Sequence, residues 1–329
     1  MLALVIAVIA VALIFDYTNG FHDAANAIAT SVSTRALTPK VAVVLAAIMN
    51  FVGAFLGQAV ANTVSETINP GVGHKALLVV LSGLVGAIIW NIATWYVGLP
   101  SSSSHALIGG LVGAALAASR DVHWQVIVSK VVIPMFLSPL AGFVGAFVLT
   151  LLLMWVFRRT ELQQVQSTFR MLQTVSAAAL ALGHGVQDAQ KTMGVIVLAL
   201  VAGGYQDTTG HLPIWVVVAA GTAIALGTYS GGWRIMRTLG QRLIHLTPAR
   251  GFAAETTATG VLYVMAFGFS APVSTTHTIT SAIIGSGATQ RASAVRWSVA
   301  QRILVAWILT VPLAGVASAS TYALLSLVL

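Results

Sequence analysis

Pro100-Ser101-Ser102-Ser103-Ser104-His105 returns 172 residues later (100 to 272) as Pro272-Val273-Ser274-Thr275-Thr276-His277. Each copy is a proline, then a run containing hydroxyl side chains, then a histidine opening a Gly/Ala-rich apolar stretch. Hydroxyls between two apolar segments are expensive to bury in lipid without a partner. Two copies in one chain point to one site built from two related halves.

The surrounding composition fixes the class. Of 329 residues, 57% are hydrophobic and 7% charged, with a mean hydropathy of +0.91. This reads as an all-α polytopic membrane protein. A β-barrel would instead show alternating strands of about ten residues. The net charge of +8 sits mostly in loops, where basic residues set topology and meet anionic headgroups. The aromatics do not interleave with the basic residues, so no nucleic-acid surface is expected. The chain has no cysteine, which excludes disulfides, thiolate metal sites and cysteine catalysis. Met1–Phe15 is apolar from the start and lacks a basic n-region; it reads as a retained span rather than a cleaved signal.

A second internal match supports duplication. Gly20-Phe21-His22-Asp23-Ala24-Ala25-Asn26 aligns with Gly185-Val186-Gln187-Asp188-Ala189-Gln190-Lys191, an offset of 165 residues (23 to 188). Two motifs in the same order at nearly the same offset predict a first repeat over 1–157, a cytoplasmic linker over 158–170 and a second repeat over 171–329. Residues 2–33 as one helix would run about 48 Å against a hydrocarbon core of about 30 Å. With a polar cluster from Asp16 to Asp23 and Gly20 inside, this segment reads as a broken helix, and 171–203 as its counterpart broken near residues 183–188. Residues 41–60 and 212–230 read as ordinary spans. The segments 76–97 with 105–118, and 252–271 with 277–288, flank the hydroxyl tips as re-entrant hairpins. Residues 131–157 and 303–328 close the two halves.

Charge counting sets the orientation. Arg35 and Lys40 place the first loop inside, whereas its partner 204–211 has no Lys or Arg. Loop 61–75 has one Lys and one Glu, whereas 231–251 holds Arg234, Arg237, Arg242 and Arg250. Loop 119–130 has Arg120, Asp121 and Lys130, and its partner Arg291, Arg296 and Arg302. Putting the more basic loop of each pair inside gives three crossings per half, with both termini extracytoplasmic. An odd number of crossings makes the repeats antiparallel: two inverted-topology repeats.

Several side chains can carry chemistry. Asp23 and Asp188 are intramembrane carboxylates at equivalent positions, able to hold a cation, carry a proton, or accept a hydrogen bond from a protonated oxyanion. The tips offer helix N-termini with Ser102, Ser103, Ser104 and Ser274, Thr275, Thr276, a donor set for a tetrahedral oxyanion; helix capping alone needs one serine. Lys191 stands at the position equivalent to Asn26, either as an ion-pair partner of Asp188 or as a fixed positive charge facing substrate. His105 and His277 are candidate proton carriers or caps, and His22 and His184 flank the expected breaks. Glu255 reads as a pathway residue or an interfacial glutamate. No metal-binding or catalytic motif is present, so neither a resident metal, a cofactor nor an enzyme activity is expected.

At these residues the chain resembles the inorganic phosphate transporter (PiT) family, in its short bacterial branch. Asn19–Ser31, Gly185–Gly194 and the two Pro-hydroxyl-His tips carry the resemblance, which covers both halves in order. It implies cation-driven phosphate import across a bacterial cell membrane, with substrate held by Asp23, Asn26, Ser102, Ser103, Ser104, Asp188, Lys191, Ser274, Thr275 and Thr276. Asp23, Asp188, His105 and His277 are then the candidates for the coupling ion. The chain departs from the common Gly-Ala-Asn-Asp signature in both copies, and sodium-coupled relatives have Asn where Lys191 stands. The resemblance therefore implies a proton rather than sodium, phosphate carried alone or as a neutral complex with a divalent metal, and, by analogy, a homodimer. A sulfate permease of the same fold is the alternative; phosphate can donate a hydrogen bond to a carboxylate at neutral pH, and sulfate cannot.

Overall fold

A computed structural model describes residues 1–207 and 210–328. Of the expected loop 204–211, Thr208 and Thr209 lie outside the described residues, as does Leu329 at the end of the second repeat.

The chain is almost entirely helical. The part read as the first repeat holds α1 (Leu2–Ser33), α2 (Pro39–Gly53), α3 (Ala59–Ser65), α4 (His74–Val97), α5 (Ser103–Ala117), the short α6 (Trp124–Val126) and α7 (Ile133–Val156), the last two joined by a π-helical turn. The second comprises α8 (Leu162–Ala202), α9 (Ile214–Ser230), α10 (Trp233–Arg237), α11 (Pro248–Tyr263), α12 (Thr275–Ala288) and α13 (Trp297–Val328). Residues Ile68–Asn69 and Asp121–Val122 form a minimal antiparallel pair. Prolines open α2 and α11, where a missing N–H costs nothing. Among the described residues, four helices are long and apolar enough to span a membrane, and α9 with α10 makes a fifth if the bent pair is one span.

The two helices that carry the Asp motifs, α1 and α8, run in opposite directions. The start of α1 meets the end of α8, where Val5 lies against Gly203. The end of α1 meets the beginning of α8, where Thr34 Oγ1 donates to Gln173 Oε1 at 2.6 Å. Contacts between copies are reciprocal: α1 packs on α9 and α8 on α2, α5 on α13 and α12 on α7. The prolines inside α7 and α13, Pro139 and Pro312, occupy matching places.

The expected breaks are elsewhere. α1 and α8 run unbroken through Gly20 and Gly185. Those glycines serve close approach instead: a Cβ on Gly20 would sit 2.4 Å from the Ile224 carbonyl of α9, and one on Gly185 2.3 Å from the Asn50 carbonyl of α2. The polar side chains of α1 need no unwound backbone because other helices, not lipid, surround them. The interruption falls in the second helix of each copy. Residues 41–60 are not one span, since α2 stops at Gly53 and α3 begins at Ala59, and α9 meets α10 at a bend of 56°. Of the residues read as a linker, 162–170 are helical and continue into α8.

The hairpin tips fall as expected. α5 and α12 are 15 and 14 residues long, about 22 Å each and too short to cross a 30 Å core. Their N-termini converge, with Ser104 Oγ donating to the Val273 carbonyl at 3.3 Å.

Candidate functional site

The two convergent N-termini and the middles of α1 and α8 enclose one buried polar cluster. Asp23 Oδ2 accepts from Ser103 Oγ at 2.8 Å, and its Oδ1 from Thr276 Oγ1 at 3.1 Å. Each carboxylate oxygen is thus held by a different hairpin. The second copy repeats the scheme. Asp188 Oδ2 accepts from Thr275 Oγ1 at 3.2 Å, while Lys191 Nζ bridges Asp188 Oδ1 and Ser104 Oγ and donates to the Val273 carbonyl at 2.9 Å. Asn26, the counterpart of Lys191, donates to Thr276 Oγ1 at 2.8 Å. Every one of these side chains is at most 3% exposed.

The structure therefore brings together Asp23, Asn26, Ser103, Ser104, Asp188, Lys191, Thr275 and Thr276. Ser102 and Ser274 have another task. Each caps its helix, accepting from the backbone N–H of His105 or His277 at 3.1 Å. His105 and His277 meet edge to face at 4.7 Å between ring centres, and His277 stacks on Trp307 at 3.8 Å. They lie behind the tips, on the wall of an apolar cavity of about 720 Å³, rather than in the cluster.

The histidines of α1 and α8 sit closer to the chemistry. His22 Nδ1 lies 2.8 Å from Asp23 Oδ1, and its Nε2 3.1 Å from Thr94 Oγ1. His184 Nε2 lies 2.8 Å from Asp188 Oδ2, and its Nδ1 3.1 Å from Asn50 Oδ1. Each aspartate thus has an imidazole at hand. Ligand atoms of Asp23, His184 and Asp188 all lie within 4.8 Å of one another, a grouping able to hold a metal ion; the sequence contained no spacing motif for it because the residues come from two helices. Glu255 sits apart at the α1 C-terminal end of the bundle. It accepts hydrogen bonds from Thr30, Ser176 and Gln173 and is fully buried.

Buried hydroxyls, an ammonium and two helix N-termini surround paired carboxylates, a donor set of the kind that suits an oxyanion in a membrane protein. The chain belongs to the Phosphate transporter family, whose pattern it matches over residues 19–318. It is 50% identical over 323 residues, covering 97% of this chain and 96% of the relative, to a "Probable low-affinity inorganic phosphate transporter" of Rhizobium meliloti. It is 46% identical over 327 residues (98% and 78%) to a protein of the same description from Mycobacterium tuberculosis. A third such relative, from Bacillus subtilis, is 41% identical over 331 residues (100% and 99%). In fold it is similar to a solved structure described as "The sodium-dependent phosphate transporter", with a TM-score of 0.86, 23% identity, and 99% and 100% coverage.

Proposed function

We propose that this protein imports inorganic phosphate across the plasma membrane by cation symport through its two inverted repeats. The observation that carries this reading is the pairing of Asp23 and Asp188 with hydroxyls from the convergent tips. Phosphate that carries a proton donates a hydrogen bond through it to a carboxylate. Its remaining oxygens accept from Ser103, Ser104, Thr275, Thr276, Asn26 and Lys191 and from unpaired N–H groups at the starts of α5 and α12.

Electrostatics supports coupling. Asp23 and Asp188 against Lys191 leave one uncompensated negative charge before any imidazole is counted. A buried phosphate adds at least one more, so an accompanying cation lowers the cost of occupancy. Lys191 already bridges Asp188 and Ser104, where the other copy has only Asn26. This permanent cation favours a proton over sodium as the mobile one. The grouping of Asp23, His184 and Asp188 supports a second cargo form, phosphate accompanied by a divalent metal as substrate. The charge-counted orientation puts both termini outside.

Radiolabelled phosphate uptake into proteoliposomes tests the reading. An inward proton gradient, with and without sodium, is expected to drive accumulation that excess sulfate leaves unchanged. Strict sodium dependence would overturn the proton assignment, and strong sulfate competition would move the substrate to sulfate.

A further inference from the structure

Asp16 lies seven residues before Asp23, two turns along the same face of α1 and about 10 Å away along the axis. It is 0% exposed, and among the described residues neither of its carboxylate oxygens has a hydrogen-bond partner. Two more buried oxygens share that condition: Asn19 Oδ1 and Thr192 Oγ1. The side chains of Thr192 and Asn19 flank Asp16, and its charged neighbours are Asp188 and Lys191 of α8. Glu255, equally buried, accepts from three side chains; Asp16 has only the neutral side chains of Thr192 and Asn19 beside it.

A buried ionised carboxylate with only neutral hydrogen-bonding neighbours and no counter-ion of its own is far costlier than any neutral buried group. Lys191 is no counter-ion for it, because its ammonium is already committed to Asp188, Ser104 and Val273. One positive charge on Asp16 removes the cost. The available atoms are all oxygens, which suits a hard cation or a proton. Asp16 is the one carboxylate at this site, so the charge that matches it locally is one.

We propose that Asp16, Asn19 and Thr192 form the binding site of the coupling cation, a monovalent ion taken either as a proton on the Asp16 carboxyl or as sodium held by these oxygens. The assignment rests on the cation-coupled reading above. A charge bound here makes the potential at Lys191 and Asp188 more positive, and so favours an anion at the hydroxyl tips two turns away.

The test reconstitutes the full-length wild type, Asp16→Asn and Thr192→Val into proteoliposomes. Two quantities are read: accumulation of labelled phosphate under an imposed gradient, and phosphate–phosphate exchange with equal pH and sodium on both sides. One arm imposes a proton gradient without sodium, the other a sodium gradient at constant pH; the arm that drives the wild type identifies the cation. Asp16→Asn is expected to lose accumulation in that arm while retaining exchange, and Thr192→Val to need more cation for half-maximal uptake. Wild-type-like accumulation by Asp16→Asn refutes the site, and loss of exchange together with accumulation refutes a role specific to coupling. A wild type that accumulates in neither arm refutes coupled transport itself, a different failure from either.

Discussion

Replacing Lys191 by methionine keeps the apolar stem and removes the ammonium. That deletes the contacts to Asp188, Ser104 and the Val273 carbonyl and leaves Asp188 with His184 at 2.8 Å and Thr275 at 3.2 Å. Removing one partner of a buried pair costs about 3–5 kcal/mol, because the other charge stays buried and uncompensated. Removing both is far cheaper, so Asp188→Asn/Lys191→Met is expected within about 1 kcal/mol of the wild type. Both variants are expected to lose phosphate uptake, since each lacks donors or acceptors at the tips. The assay is unfolding of detergent-purified protein followed by tryptophan fluorescence, for which the chain supplies 8 tryptophans. A double variant as unstable as the single would refute the compensation argument. A single variant as stable as the wild type would do so as well.

Other substitutions separate packing from chemistry. Gly185→Val places side-chain atoms against the Asn50 carbonyl, 2.3 Å from the Cβ position, and is expected to abolish folded protein on size exclusion; Gly260→Ala, with nothing within 4 Å, is expected to leave the elution profile unchanged. Ser102→Ala removes a cap and is expected to cost about 1 kcal/mol of stability with uptake largely kept. Ser103→Ala removes a hydrogen bond to a carboxylate and is expected to weaken uptake about tenfold or more, read as uptake against phosphate concentration.

The sequence disclosed what repetition disclosed. Asp23 and Asp188, and the two hydroxyl tips, were legible because each occurs twice in the same order, and the structure brings both pairs into one cluster. The helices that carry those aspartates, α1 and α8, run antiparallel. What could not be read was anything decided by a distant partner. Gly20 inside a polar run has two readings, helix breaker or packing contact, and the choice depends on Ile224, more than two hundred residues away. Ser102 looks like Ser103 in sequence, but only the backbone geometry at the start of α5 makes it a cap. His184 reaches its place between Asn50 and Asp188 through the crossing of α2 and α8. Asp16 escaped because its counterpart, 165 residues on, is Ala181, so the test of repetition passed over it.

The central claim is that hydroxyls from both hairpins and carboxylates from both copies hold one phosphate. Equilibrium binding of labelled phosphate to the purified protein tests it most directly, comparing the wild type with Ser103→Ala and Thr276→Ala, one from each tip. The account predicts saturable binding of one phosphate per chain, weakened about tenfold or more by either change. Unchanged binding in both variants, or loss from one tip alone, would contradict a shared site.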